Sequence, residues 1–187
     1  MTSEEVLRVV LEKLHEHRIP YMVTGSFAGN YYGVPRATQD ADVVIDPNEG
    51  SLTEFISDIQ GQFYADLAAA IDELKRRHMF NIVHLDTGFK VDFIVRKQRP
   101  FSEEEFERRR QRDFLGKPYF LASPEDTILA KLEWSHEAES GRQFQDAVGI
   151  AKVQQDSLDW FYLRKWAEDL NISSLLETLS EEIKGKN

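Results

Sequence analysis

The stretch Tyr21–Asp46, YMVTGSFAGNYYGVPRATQDADVVID, decides how the chain is read. Tyr21-Met22-Val23-Thr24 is a short apolar strand. Gly25-Ser26 follows, then a helix start, a glycine turn at Gly33 and a second strand, ADVVID, over residues 41–46. Asp40 and Asp42 stand two residues apart at the head of that strand. Side chains alternate faces along a strand, so both carboxylates point the same way, roughly 6–7 Å apart at the backbone. Like charges held that close repel, and a hard divalent cation such as Mg²⁺ relieves the repulsion through oxygen ligands. A Gly-Ser step at a strand-to-helix turn offers backbone N–H groups to phosphate oxygens. Metal-binding carboxylates beside a phosphate cradle point to a nucleotide.

Upstream, residues 2–17 read as a helix with a Thr2/Glu5 capping box and Val6, Leu7, Val10, Leu11 and Leu14 on one face. Downstream, Ser51 with Glu54 reads as the cap of the next helix, stopped near Gly61, and Phe63, Leu67, Ala70, Ile71 and Leu74 recur at helical spacing through Arg77. Strands over 79–85 and 89–95, joined at Asp86-Thr87-Gly88, form a hairpin, and the second carries Asp92 between Val91 and Phe93. Asp92 thus faces away from its apolar neighbours. Ser102 with Glu105 predicts a charged helix, EEEFERRRQR, whose arginines complement the C-terminal end of the helix dipole; the same cluster could instead touch RNA or another polyanion. Residues 117–121 read as a short extended piece. Ser123-Pro124-Glu125-Asp126 is a strong helix start, and helices are predicted near 124–138, 142–153, 157–170 and 173–184. These elements give an α+β fold: a mixed β-sheet core with flanking helices and a helical C-terminal domain, divided as 1–112 and 113–187.

The totals exclude several classes. The 187 residues contain no cysteine, so disulfide and thiol chemistry are absent, and the five histidines show no metal-ligand spacing. No apolar run approaches the roughly 20 residues that cross a bilayer, which sets no membrane and a cytoplasmic location as the expectation. A net charge of −10 argues against broad affinity for nucleic acid.

Asp40, Asp42 and Asp92, drawn from two strands, could together hold one or two Mg²⁺ ions and align a hydroxyl against an α-phosphate. Asp92 is the candidate for the nucleophile's side or for accepting its proton. The other reading of each is a solvated acid at a strand end. Arg36, four residues before Asp40, is within reach of a β- or γ-phosphate, or else is an ordinary loop arginine. Lys131 is a snorkelling surface lysine or a phosphate contact. Asp146 reads as a helix-surface acid and Asp126 as a helix cap. Trp134, Trp160, Phe161 and Trp166 read as packing.

The order Gly25-Ser26, Asp40-Ala41-Asp42 and Val91-Asp92-Phe93 resembles the DNA polymerase β-type nucleotidyltransferase superfamily, and GSFAGNYYGVPRATQDADVVID is most similar to small prokaryotic members near the AbiEii-type toxins. SPEDTILAKLEW followed by GRQFQDAVGI is similar to the tail of that group, so the resemblance covers roughly residues 20–150. It implies a nucleotidyltransferase-like core and Mg²⁺-dependent (or Mn²⁺-dependent) transfer of an NMP from an NTP to an acceptor hydroxyl, with pyrophosphate released. By the same resemblance Asp40, Asp42 and Asp92 are the catalytic, metal-binding acids, Gly25 and Ser26 hold triphosphate, and Lys131 contacts nucleotide. The acceptor stays open between a small molecule, a protein and an RNA end. The rival expectation is a non-catalytic nucleotide- or protein-binding module of the same fold, such as one half of a toxin–antitoxin pair.

Overall fold

The computed structural model describes residues 1–185. In chain order the elements are α1 (Ser3–Glu16), β1 (Tyr21–Thr24), α2 (Gly25–Tyr32), β2 (Asp40–Ile45), α3 (Glu49–Ile59), β3 (Phe63–Tyr64), α4 (Leu67–Arg76), β4 (Met79–His84), β5 (Lys90–Val95), α5 (Pro100–Glu107), β6 (Arg110–Phe114), β7 (Lys117–Leu121), α6 (Pro124–Ala138), α7 (Gly141–Gln154), α8 (Trp160–Asp169) and α9 (Ser173–Lys184), with a 3₁₀ turn at Gln155–Ser157.

The strands form a mixed sheet in the order β3-β4-β5-β2-β1-β7-β6. At its centre β2 runs antiparallel to β1 and parallel to β5. Strand alternation then sorts the side chains. Val23, Val43, Ile45, Val91, Phe93 and Val95 share a core with the apolar stripe of α1 and with Phe55 and Ile56 of α3. The opposite face carries Thr24, Asp42 and Asp92, aligned in register across three neighbouring strands. Beyond them a small apolar patch of Met22, Val44 and Ile94 lies against Phe106 of α5. The C-terminal helices α6–α9 build a second core, including Leu129, Leu132, Ile150, Leu163 and Trp166, and it reaches back to Tyr32 of α2 and Phe101 of α5. The acids therefore sit between two cores. Among the described residues, no helix is long and apolar enough to cross a membrane.

Three sequence expectations give way. The cap of α3 is Asn48, whose Oδ1 accepts from the Ser51 amide at 2.9 Å, while the Ser51 hydroxyl turns back to the Asn48 carbonyl. Phe63 belongs to a two-residue strand paired with His84, so its helical spacing to Leu67 is a coincidence; α4 starts after Asp66, which caps it. The arginine-rich segment does not continue as a helix to residue 112. Pro100 starts α5, no side chain caps it, and Ser102 accepts from Arg99 Nε instead. From Arg110 the chain enters a hairpin that turns on Leu115-Gly116, both at positive φ, the backbone that matches strand twist in a two-residue turn. On the edge strand β6 only Phe114 is buried, so no apolar alternation marks it in the sequence. Through β7, paired parallel to β1 at Val23–Leu121, residues beyond 112 still contribute to the sheet.

Candidate active site

Gly25 explains why the helix can begin where it does. It turns at φ +59°, and a side chain there would collide with the carboxyl group of Asp42. The α2 N-terminus is thus brought directly over the acid strand, with its first amides free of side-chain caps. The parallel pairing of β2 with β5 sets Asp42 beside Asp92 on one face of the sheet.

The electrostatics of this group are unbalanced. Burial, Asp40 and Asp92 push the Asp42 carboxyl up to about 6. Asp92 is buried, and one of its oxygens, Oδ1, has no hydrogen-bond partner. Its other oxygen meets Lys90 Nζ at 2.7 Å. An orphaned oxygen on a buried carboxylate is costly, and a cation is the chemistry that satisfies it. Among the described residues, no three histidine or acidic side chains are already gathered at metal-binding spacing. The fit to a divalent ion therefore rests on the donor type, the common face and the unpaired oxygen. Thr38 Oγ1 steadies Asp40, donating to its carbonyl and lying 3.2 Å from Oδ1.

Arg36, Lys131 and Asp146 form a second cluster. Arg36 is set by Asn30, which bonds both its amide (3.0 Å) and its carbonyl (2.7 Å). Its guanidinium donates to Asp146 through Nε and Nη2, and Nη2 also reaches Ser26 Oγ at 2.9 Å. Lys131 Nζ, almost wholly buried, donates to the same Asp146 at 2.9 Å and to Gln143 at 3.1 Å. Burial lowers the Lys131 pKa, and Asp146 opposes the shift. For Asp146, burial is outweighed by bonds from Arg36 and Lys131, which hold its carboxyl below the usual range. Lys131 is therefore not a snorkelling surface lysine; it lies under α2, where a side chain at Gly29 would crowd its Cε. One carboxylate between two cations leaves a net positive charge beside the Gly25-Ser26 turn.

Gly25, Ser26, Arg36, Asp40, Asp42 and Lys131 line a cleft of about 740 Å³ between the sheet and α5, α6 and α7, with Asp92 buried beside Asp42. Asp146 was missed as a site residue because it precedes Ala147-Val148 in what reads as an amphipathic helix. The usable signal is its place four residues before buried Ile150. Asp126 proves more than a cap: fully buried, it meets Ser123 Oγ at 2.6 Å, Tyr162 OH at 2.6 Å and Arg108 Nε at 3.3 Å. Trp134, read as packing, is half exposed and lines the cleft, and Phe161 is exposed on α8, whereas Trp166 is buried as expected. Glu133 was not singled out by the sequence; it holds Arg99 through two bonds of 2.6 and 2.7 Å.

No family model matches the chain, and no curated protein matches it in sequence. Solved structures do match. An antigenic nucleotidyltransferase-like protein from Paracoccidioides brasiliensis is 17% identical over 94% of this chain and 92% of its own, with a TM-score of 0.59. The fold is nucleotidyltransferase-like. The lincosamide antibiotic adenylyltransferase LnuA, in its lincomycin-bound structure, is 9% identical over 79% of this chain and 95% of its own, with a TM-score of 0.53. ANT(2″)-Ia in complex with adenylyl-2″-tobramycin is 15% identical over 91% and 98%, with a TM-score of 0.51. At these identities the likeness is one of architecture, and the chemistry has to be argued from the cleft itself.

Proposed function

We propose that this chain transfers a nucleotidyl group from an NTP to an acceptor hydroxyl and releases pyrophosphate. The observation that carries the reading is the side-by-side register of Asp42 and Asp92 under the Gly25 turn, with a buried carboxylate oxygen left unpaired. Asp40, Asp42 and Asp92 are the residues to hold Mg²⁺ or Mn²⁺. The ion would supply charge neutralisation at the α-phosphate and a lowered pKa for the attacking hydroxyl. The amides at the start of α2 and the Ser26 hydroxyl bind triphosphate oxygens. Arg36 and Lys131 add positive charge there, and Asp146 keeps both aimed when no phosphate is bound. Asp92 sits on the acceptor's side and takes the hydroxyl proton as the new P–O bond forms and pyrophosphate departs. Helices α6 and α7 form the opposite wall of the cleft and limit water around the triphosphate.

The acceptor is an unassigned small molecule, protein or RNA end, and the setting is the cytoplasm, where NTP is available. The narrower likeness to AbiEii-type toxins rests on the wording of residues 25–46. One observation favours a second reading. Lys90 already places a positive charge on Asp92, as it would in a non-catalytic module that binds nucleotide or a partner from a toxin–antitoxin pair. Purified protein incubated with labelled NTPs, Mg²⁺ and cell extract separates the two. The catalytic reading expects label on a defined acceptor, lost in D42N. Metal-independent NTP binding with no label transfer would support the module.

A further inference from the structure

Resting on the nucleotidyl-transfer reading, we propose that the far end of the same cleft is a second anion site, and that the acceptor carries a phosphate group which docks there.

The sheet makes the cleft directional. On its open face β2 presents Asp42 and then Val44, and β5, beside it, presents Asp92 and then Ile94, followed just past the strand by Arg96. Four residues of strand separate Asp92 from Arg96, about 13 Å at roughly 3.3 Å per residue. The antiparallel pairing of Thr24 with Asp42 and Tyr21 with Ile45 sends Ser26 toward the opposite end. The Arg36–Lys131 cluster therefore lies on one side of the acids and Arg96 on the other. A nucleotide anchored by its triphosphate near Ser26 has an uncharged base at its other end. A second cationic group beyond Val44 and Ile94 must therefore answer to a different molecule.

That second group is built in place. Asp46 is not in the cleft wall, yet it holds two guanidiniums that are: Arg96 through Nε at 2.9 Å and Arg77 through Nη1 at 3.2 Å. Arg77 Nη1 also donates to the Arg96 carbonyl at 2.8 Å. Asp46 and Glu103 offset the two guanidiniums, and Lys97 on the same wall leaves one positive charge over. Arg77 Nη2 has no protein partner among the described residues, while Arg96 Nη1 pairs with exposed Glu103 at 3.6 Å. The Arg96 side chain is 19% exposed, so it is held, not waving. Lys97, exposed beside it, adds a further cation to the same wall. His78, also on this wall, faces Glu73 at 3.3 Å. Anchored, paired guanidiniums with spare donors match the geometry of phosphate oxygens. Between the two ends, partly buried Ile94 on the floor and half-exposed Trp134 on the wall offer an apolar surface for the body of the acceptor. Such an end is unsuited to a polycationic acceptor.

The test fills the nucleotide end with a non-hydrolysable ATP analogue and Mg²⁺, then measures equilibrium binding of a dinucleotide ending in a 5′-phosphate against the same dinucleotide ending in a 5′-hydroxyl. The phosphate form is expected to bind about tenfold tighter, and the difference should shrink in both R96Q and K97Q. K97Q touches no ion pair of the fold, so it remains informative should R96Q fail to fold. Equal affinity of the two dinucleotides in the native protein, or a difference undiminished in both variants, overturns the proposal. Binding of the ATP analogue, recorded in the same samples, tests the nucleotidyl-transfer reading separately: its absence sinks that reading, whereas its presence with no phosphate preference sinks only this one.

Discussion

Asp92 and Asp126 are both buried carboxylates, and they are treated in opposite ways. Asp126, in the first turn of α6, has a partner for each oxygen: Ser123 and Arg108 on one, Tyr162 on the other, with the Arg108 guanidinium stacked 3.8 Å over the Tyr162 ring. Asp92, on β5, has Lys90 on one oxygen and nothing on the other, with Asp42 alongside. A buried charge with a complete set of partners ties elements together; a buried charge left incomplete is a cost the fold tolerates for something it binds. The first acid joins α5, α6 and α8. The second, in the proposed reading, belongs to the chemistry.

The contrast breaks most visibly in activity. D92N should lower nucleotidyl transfer by on the order of 10³-fold or more, since metal-held charge stabilisation supplies several kcal/mol. Its melting temperature should stay level or rise, because a like-charge contact is relieved. The reverse pattern is expected of D126A, which strands Arg108 and Tyr162. Removing one member of such a set costs about 3–5 kcal/mol, seen as a lowered midpoint in denaturant with the activity per folded molecule retained. A large stability loss in D92N alongside a silent D126A would erase the distinction.

Ligand linkage sharpens it further. Mg²⁺ with a non-hydrolysable NTP, at 100 times its Kd, should stabilise the native chain by about 2.7 kcal/mol, and D92N should forgo most of that gain in a thermal melt. D146N should act more mildly. It leaves Arg36 and Lys131 charged but loosely aimed, so the KM for NTP should rise about tenfold, roughly 1.4 kcal/mol, with kcat nearly unchanged. A fall in KM would mean that Asp146 merely competes with phosphate.

The smallest effect concerns Glu105, on the α5 side of the cleft. Burial and then Asp126 push its carboxyl up to about 8, against a pull from Arg99. The folded chain therefore holds a proton that the unfolded chain releases above its ordinary value near 4.5. The favourable contribution is complete below that value and drains away as pH rises toward 8. E105Q should melt about 2–4 °C higher than the native chain at pH 9, with no such gain at pH 4.

Much of this was legible in the sequence because it depends on short periods. Strand alternation alone places Asp40, Asp42 and Asp92 on polar faces, and the Gly25-Ser26 step marks the turn above them. The register that sets Asp42 beside Asp92 is a long-range pairing, which alternation does not specify. Asp146 and Glu133 were hidden for the same reason: each is an ordinary helical acid until Arg36 reaches α7 and Arg99 reaches α6. The hairpin at 110–121 was lost because its charged edge strand lacks an apolar face, and runs of glutamate and arginine favour helix in isolation.

The most direct test of the metal-site claim is a titration with Mn²⁺ followed by electron paramagnetic resonance, with a non-hydrolysable NTP present. The account predicts that the native chain binds Mn²⁺ more tightly than the nucleotide alone does, and that D42N loses the difference. Mn²⁺ binding equal in the native chain, D42N and free nucleotide would contradict it.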